Sequence, residues 1–576
     1  MKHLLRSLRA YRIQAILAPL FKMLEATFDL LVPMAVALMV DNGIGRGDTA
    51  YVIRMGIVLL GMAIVGMSLA VAAQYFAAKA AIGSAADLRS RLFCHIQALG
   101  WGEADAIGTS TLITRMTSDV NQVQNGVNMF LRLLLRSPFV VIGAFVCALI
   151  IDSRISFIFL ASIAGMALVV VVVMAVTGPR YRAIQGQLDK VTGATRENLS
   201  GVRVIRAFGT EEREVSRFKG LNHSLAKAQL AVGRVSALMN PLTLVIVNVG
   251  VILVLQAGAK AVDGGVLLSG NVIALVNYMN QILVELIKLA NFIVTLSRAL
   301  ASLRRVEAVL DTQPQMAFPA ESALPDADAP AVVFDHVSLR YPSAGAESLT
   351  DISFRVAAGQ TVGIIGSTGS GKSSLVHLIP RFYDATSGSV SLFGHPIADY
   401  DQAQLRRMTG IVPQRAQLFS GTIRSNLVWG REDAGDSELW EALQTAQAAD
   451  FVREKPLGLD DPVEQGGRNL SGGQRQRLTI ARALTGKPSI LILDDSASAL
   501  DYATDAALRQ ALRRLDWPVT VFIVSQRTAS IRNADMILAL DDGRLVGCGT
   551  HDELLESCPV YRDIHESQYQ KGDARA

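Results

Sequence analysis

Charge is scarce in this chain. Of its 576 residues only 18% are Asp, Glu, Lys or Arg, while 50% are hydrophobic and the mean hydropathy is +0.33. That balance is too apolar for an ordinary water-soluble protein and points to several membrane spans. An excess of one sign is also lacking: 55 basic residues against 51 acidic ones give a net charge of +4, and no dense Lys/Arg block occurs. Nucleic acid is therefore not an expected partner. Cysteine is limited to Cys94, Cys147, Cys548 and Cys558, scattered without metal-ligand spacing, which fits unpaired thiols in a reducing or buried setting. A cleaved leader is not expected either, because Lys22, Glu25 and Asp29 interrupt the first apolar run and further spans follow. The length suffices for more than one domain, each with a substantial core.

The apolar residues concentrate in the first half. Met55 to Ala78, Ile155 to Pro179 and Val235 to Ala259 contain no charged residue. Each is long enough for roughly 30 Å of hydrocarbon at about 1.5 Å per residue. Gly264 to Val284 makes a fourth span, expected to continue as a helix beyond Glu285. Two weaker spans complete the set: "SPFVVIGAFVCALII" after Arg136, and "ILAPLFKMLEATFDLLVPMAVALMV" with its three charges. Six helices are expected. Lys2, Arg6, Arg9 and Arg12 precede the first span without an acid, so the N-terminus is expected in the cytoplasm. Connections after spans one, three and five are short and would lie outside. Those after spans two and four are long; "AADLRSRLFCHIQALG" and "ATRENLSGVRVIRAFGTEEREVSRFKG" place apolar residues at helical spacing among charges, as cytoplasmic helix extensions would.

The texture changes near residue 311. "DTQPQMAFPAESALPDADAP" is rich in Pro, Ala and acids and lacks helical periodicity, so it reads as a linker. Short β-type runs follow ("AVVFDHVSLRY", "TVGIIG", "SGSVSLFG", "SILILDD", "VTVFIVS"), alternating with helical stretches. The expected organisation is a membrane domain over 1–310, a linker over 311–330 and an α/β domain over 331–576.

"TVGIIG" runs into "GSTGSGKSS", in which Gly366, Gly371, Lys372 and Ser373 satisfy G-x-x-x-x-G-K-S between a strand and a helix. Backbone N–H groups of Gly366, Ser367, Thr368, Gly369, Ser370 and Gly371 would face phosphate oxygens at a helix N-terminus. Lys372 would reach the β- and γ-phosphates, and Ser373, followed by Ser374, would ligate Mg²⁺. Asp494, ending "SILIL", supplies an acid near that metal. ATP with Mg²⁺ is the expected ligand.

"LSGGQRQRLTIARAL", from Leu470, resembles the signature helix of the ATP-binding-cassette (ABC) proteins, and the rest of the pattern is similar to that family. The resemblance implies the following roles. Tyr341 in "VSLRYP" stacks on adenine, and Gln414 in "IVPQ" senses Mg²⁺ and the attacking water. Ser471, Gly472, Gly473 and Gln474 meet the γ-phosphate of a nucleotide held by a second chain. Asp501, closing "SALD", lies in the loop that crosses between the chains. The first 300 residues resemble the membrane half of an exporter in this superfamily, so the fold class expected is a six-helix transmembrane domain followed by a P-loop cassette. Coupling helices would fall in "GWGEADAIGTSTLITRMTSD" and "VRVIRAFGTEEREV".

Two positions depart from that pattern. Asp495 stands where the family usually has the glutamate that polarises water, and Gln526 where it usually has a histidine on the γ-phosphate. A carboxylate shortened by about 1.5 Å falls out of reach, and a misplacement of about 1 Å can cost on the order of a hundredfold. Glutamine cannot become a cation beside the transferring phosphoryl group. The acid and histidine that would serve the chain's own nucleotide are altered, while the signature it lends to a partner is intact. That lopsidedness resembles the degenerate-site subunit of heterodimeric multidrug-type exporters, an integral protein of a bacterial inner or plasma membrane, whose cargo would be a hydrophobic drug, lipid or peptide. A homodimer with two slow sites and a non-transporting ATP-binding regulator are the rival readings. Lys22, Glu25 and Asp29 share one helix face, which fits either a cation-accepting site or structural pairing. Glu285 and Lys288 are spaced for mutual neutralisation.

Overall fold

The computed structural model describes residues 1–341, 344–496 and 498–573, the side chains of residues 182 and 569–573 excepted. Contacts divide the chain into two units: Met1–Gln97 with Ser110–Asp311, and Ala98–Thr109 with Thr312–Ala576.

The first unit is helical throughout. Its long elements are Arg12–Leu38, Thr49–Ala98, Val120–Leu133, Arg136–Ile151, Ser153–Ser200, Glu211–Ala237, Met239–Asp263 and Ser269–Leu310. Short turns join those expected to be joined tightly. Asp152 accepts hydrogen bonds from the N–H groups of Arg154 (2.7 Å) and Ile155 (2.9 Å), ending one helix and capping the next. The helices Thr49–Ala98 and Ser153–Ser200 hold 50 and 48 residues, roughly twice what a bilayer core requires. Beyond Ser200 the helix is not continuous: Gly201 breaks it, Val202–Ala207 forms a separate turn, and Gly209 at φ 60° starts the return.

Among the described residues, five helical segments are long and apolar enough to cross a membrane. The sixth expected span differs in two ways. Gly264 to Leu268 form a turn, so the helix begins at Ser269. It also carries Asn271, Asn277, Asn280, Gln281, Glu285 and Lys288, which lower its apolarity. This helix is instead sheltered by its neighbours. Ala274, Leu275, Tyr278, Met279 and Ile282 are fully buried against Ala26, Leu30, Val140, Phe159 and Val247, and Tyr278 donates to the Leu30 carbonyl at 2.7 Å. A Cβ on Gly270 would lie 2.3 Å from the Ala37 carbonyl oxygen, so only glycine permits this approach to the first long helix.

In the second unit the mostly parallel sheet runs Arg544–Gly549, Met536–Asp541, Thr361–Gly366, Thr520–Val524, Ile490–Asp494, Thr409–Val412. Only the pairing of the first two strands is antiparallel. Central strands buried on both faces read as unbroken apolar runs, which is why "ILIL" and "TVFIV" lack alternation. An antiparallel sheet built on Val332–Leu339, Leu349–Val356 and Ser387–Leu392 packs beside it. Helices Asp436–Thr445, Ala449–Arg453 and Gly472–Thr485 share a second core with it.

Residues 312–330 contain no helix or strand but are fastened to this unit. Ser322 Oγ accepts from the Asp401 N–H, the Ala323 and Asp326 N–H groups donate to Asp399 and Phe393, and Arg381 lies over the Phe318 ring. Helix Trp101–Ile107 also belongs here. Trp101 stacks on Phe382 with centroids 4.3 Å apart, and Tyr383 donates to Asp105 at 3.0 Å.

Candidate functional site

Strand Thr361–Gly366 delivers a loop that turns into helix Lys372–Leu378. Steric demands fix the glycines. A Cβ at Gly366 would lie 2.2 Å from the Leu540 carbonyl oxygen, and one at Gly371 (φ 93°) would lie 2.7 Å from that of Ser348. Gly369 (φ 89°) faces open space. Beside the loop is a hollow of about 390 Å³ lined by Gly369, Gly371, Lys372, Ser373 and Ser374. Lys372 folds back onto the loop, donating to the carbonyls of Gly366 (2.9 Å) and Ser367 (2.6 Å). Burial holds its ammonium below the usual lysine value, against the pull of Asp495 and Asp494.

Ser373 donates to Asp494 at 3.0 Å. Burial raises the Asp494 carboxyl above the usual aspartate range, opposed by that hydrogen bond and by His377 and Lys372. His377 Nε2 is 3.8 Å from the same carboxylate, and burial pushes the imidazole down, which keeps it neutral at physiological pH. A hydroxyl and one carboxylate suit Mg²⁺, which commonly takes few protein ligands and fills its octahedron with phosphate oxygens and water. Among the described residues no group of three or more His, Cys, Asp or Glu could hold a metal by itself. The Gln414 amide donates to Asp495 at 3.2 Å.

Asp495 adopts φ 46°, with its N–H bound to the Val524 carbonyl at 3.1 Å. That turn brings it to Gln526: Asp495, Ser498, Ser525, Gln526 and Arg527 line one hollow of about 220 Å³. The two departures from the family pattern thus share one place. Tyr341 is half-buried, donates to Ser374 at 3.0 Å and meets Tyr383 edge-on at 4.9 Å. A larger hollow of about 880 Å³ lies along Arg509, which donates to the Ala529 carbonyl and pairs with Asp505, and Arg513, which donates to the Asn533 carbonyl.

The signature segment forms a separate set. Ser471 caps helix Gly472–Thr485: its hydroxyl accepts from the Gln474 N–H (3.2 Å) and its own N–H donates to the Gln474 side-chain Oε1 (2.9 Å). Ser471 and Gly472 are exposed, and a Cβ on Gly472 would meet nothing within 4 Å. Among the described residues no hydrogen bond or ion pair joins Ser471–Gln474 to residues 366–374 or to the two acids. Asp501 caps the next helix through the N–H and hydroxyl of Thr504, which hold its carboxyl below the usual range.

Charges on helices Arg12–Leu38 and Ser269–Leu310 are paired. Lys22 reaches Glu25 at 2.5 Å and Lys288 reaches Glu285 at 2.8 Å. Arg136, read from sequence only as the residue before a span, joins Glu285 and Asp29 and lies 3.9 Å from Glu25. Ser137 also donates to Glu285. Sequence reasoning missed this hub, as it missed His377, because both depend on contacts distant in the chain.

Residues 15–286 match the family described as ABC transporter transmembrane region, and residues 349–498 match the family described as ABC transporter. An uncharacterized ABC transporter ATP-binding protein of Bacillus subtilis (strain 168), YfiB, is 35% identical over 99% of both chains. The ATP-dependent lipid A-core flippase of Yersinia pestis bv. Antiqua (strain Antiqua) is 29% identical, covering 97% of this chain and 96% of that protein. A solved bacterial Atm1-family ABC exporter with ATP bound superposes with a TM-score of 0.80 at 26% identity, over 97% of this chain and 98% of that one. One membrane region and one cassette on a single polypeptide, matched end to end by such relatives, place this chain in the ABC transporter family as an exporter half-transporter whose ATPase is coupled to transport.

Proposed function

We propose that the chain is the degenerate-site half of a heterodimeric ABC exporter that drives hydrophobic or amphipathic substrates, drugs or lipids, across a bacterial inner or plasma membrane. One observation carries the reading. Asp495 and Gln526 line a common hollow, whereas the exposed Ser471 segment, among the described residues, makes no hydrogen bond or ion pair to the chain's own phosphate loop and would serve a nucleotide site elsewhere. A second chain supplies that site. The tip of the second long extension agrees: Leu199, Val204 and Phe208 are exposed and helix Val202–Ala207 buries nothing within this chain.

At its own site the loop from Gly366 binds the phosphates through backbone N–H groups, and Lys372 leaves its carbonyls for the β- and γ-oxygens. Ser373 and Asp494 would hold Mg²⁺, which would supply positive charge against the phosphates. Asp495, one methylene short and bound to Gln414, positions water poorly, and Gln526 donates a neutral hydrogen bond to the γ-phosphate. Turnover there is slow. At the partner's site Ser471 and its helix N-terminus donate to the γ-phosphate and turnover is fast. The N-terminus and cassette lie in the cytoplasm, as Lys2, Arg6, Arg9 and Arg12 favour. The relative that flips lipid A-core supports an amphipathic lipid as one cargo class.

The test is co-expression with candidate half-transporters, capture through a tag on this chain and steady-state hydrolysis by the complex. Ser471→Ala should lower the fast rate by about 5- to 150-fold, as the loss of one donor worth roughly 1–3 kcal/mol implies. Asp495→Asn should cost far less. Recovery of a homodimer alone with brisk hydrolysis, or loss of turnover in Asp495→Asn with none in Ser471→Ala, would overturn the proposal.

A further inference from the structure

The loop that carries Gln526 is held from outside the nucleotide site. Gln568, on the C-terminal helix Pro559–Asp573, donates to the Gln526 carbonyl at 2.7 Å. Its amide oxygen accepts from both the N–H (2.9 Å) and the hydroxyl (3.0 Å) of Thr528. One primary amide thus bridges both sides of Arg527. Only a group that donates at one end and accepts at the other fits, because a backbone carbonyl and a backbone N–H face it together. Thr528 is 1% exposed, and His565 of the same helix contacts its hydroxyl at 3.3 Å. Tyr561, fully buried, anchors the helix and pairs with His551 at 2.6 Å. Other supports of the loop include the Arg527 N–H on Ser525 Oγ, the Ser525 N–H on the Ile364 carbonyl, the Ser530 N–H on the Arg527 carbonyl and the Arg527 guanidinium over the Tyr502 ring.

We propose that Gln568 is a positioning residue for the switch loop: its amide fixes the backbone of Gln526 to Thr528 and so aims the Gln526 side chain at the γ-phosphate. The inference rests on the reading of Gln526 as the γ-phosphate contact. It makes the C-terminal helix a controller of how well this site tells ATP from ADP. The Gln568 amide bonds to Gln526 and Thr528 and to no residue of the phosphate loop, so losing it should let ADP binding persist while the advantage of ATP falls.

The experiment uses the full-length chain, purified in lipid nanodiscs with whatever second subunit accompanies it. Photolabelling of this chain's own band by 8-azido-ATP is competed with ATP and with ADP. Gln568→Met keeps the length and removes both hydrogen-bonding ends; it should reduce the preference for ATP about fivefold with ADP affinity unchanged, the scale of a hydrogen bond lost at an exposed edge. Amide exchange at Arg527 and Thr528 should accelerate in the same variant. Gln568→Glu gives a signature that a merely structural role would not: its carboxylate accepts from Thr528 but repels the Gln526 carbonyl. The preference should therefore recover as pH falls and the carboxyl regains a proton to donate. Gln526→Ala separates the two ideas. If Gln526→Ala leaves the preference intact, the switch reading is wrong and the positioning role falls with it. If Gln526→Ala abolishes the preference while Gln568→Met leaves it and the exchange rates unchanged, the positioning role alone is overturned. In the double variant the loss should equal that of Gln526→Ala alone, and an additive loss would count against a shared pathway.

Discussion

Removing the guanidinium of Arg136 is the sharpest test of how the helical unit is held. Breaking a buried ion pair by deleting one partner typically costs about 3–5 kcal/mol. Arg136 faces three acids, but they do not lose equally. Glu25 retains Lys22 at 2.5 Å, and Glu285 retains Lys288 at 2.8 Å and the Ser137 hydroxyl at 2.9 Å. Asp29 alone loses its ion-pair partner, and its side chain, 43% exposed, is the least enclosed of the three acids. The cost of Arg136→Met, which keeps most of the stem's packing, should fall at the low end, about 3 kcal/mol. For a large domain that corresponds to a midpoint lowered by roughly 5–10 °C. The assay is thermal unfolding of the purified protein in detergent at one fixed scan rate, since unfolding of such proteins is usually irreversible. Adding Asp29→Asn to Arg136→Met should restore about 1 kcal/mol by removing the orphaned charge. Arg136→Met and Glu285→Gln should be less than additive, because each already breaks the same contact. A midpoint within about 2 °C of the parent for Arg136→Met, or full additivity in the double variant, would refute the hub.

Two further outcomes follow from the phosphate loop. Gly371→Ala should abolish nucleotide binding and cost about 2–4 kcal/mol, since it combines positive φ with a clash against the Ser348 carbonyl, whereas Gly369→Ala, at positive φ but in open space, should cost only about 1 kcal/mol; fluorescent-nucleotide titration and thermal midpoints check both. Burial lowers Lys372 in the free protein and bound phosphate would raise it, so binding takes up a proton between the two values. Affinity should therefore fall as pH rises toward the ordinary lysine value of about 10.4, and Lys372→Arg should flatten that decline; nucleotide binding measured across alkaline pH is the check.

How much of this was legible in the sequence depends on whether the determinants were local. The strands "TVGIIG" and "SILIL" and the turn into Lys372 appear where the apolar runs and glycines put them, because burial on both faces and positive φ leave local marks. The pairs Lys22–Glu25 and Glu285–Lys288 were readable from helical spacing. Arg136 was not, since its partners lie 107 and 149 residues away. The Ser269–Leu310 helix looked like an ordinary span although its amides needed shelter from neighbours. The segment 311–330 reads as a linker, and polar residues without periodicity do not reveal that Ser322 and Ala323 find backbone partners. Gln414 was assigned to the metal by its place in the motif; its contact with Asp495 is a tertiary fact. Gln568 sits in a polar C-terminal helix, and nothing in its neighbours announces a carbonyl and an N–H waiting for one amide.

The cluster around Arg136 also has an electrical meaning. Lys22, Arg136 and Lys288 balance Glu25, Asp29 and Glu285, so with every group charged the cluster sums to zero. A single elementary charge carried through the full field of a membrane held at 100 mV gains or loses about 2.3 kcal/mol. A neutral cluster gains nothing, and the helices that bear it can shift through the field without being driven or braked by it. This cluster therefore adds no voltage dependence of its own, and for an uncharged cargo the transport rate should be similar in polarised and depolarised vesicles. Arg136→Met leaves one uncompensated negative charge at that depth and should add a dependence on the membrane potential that the intact cluster does not contribute.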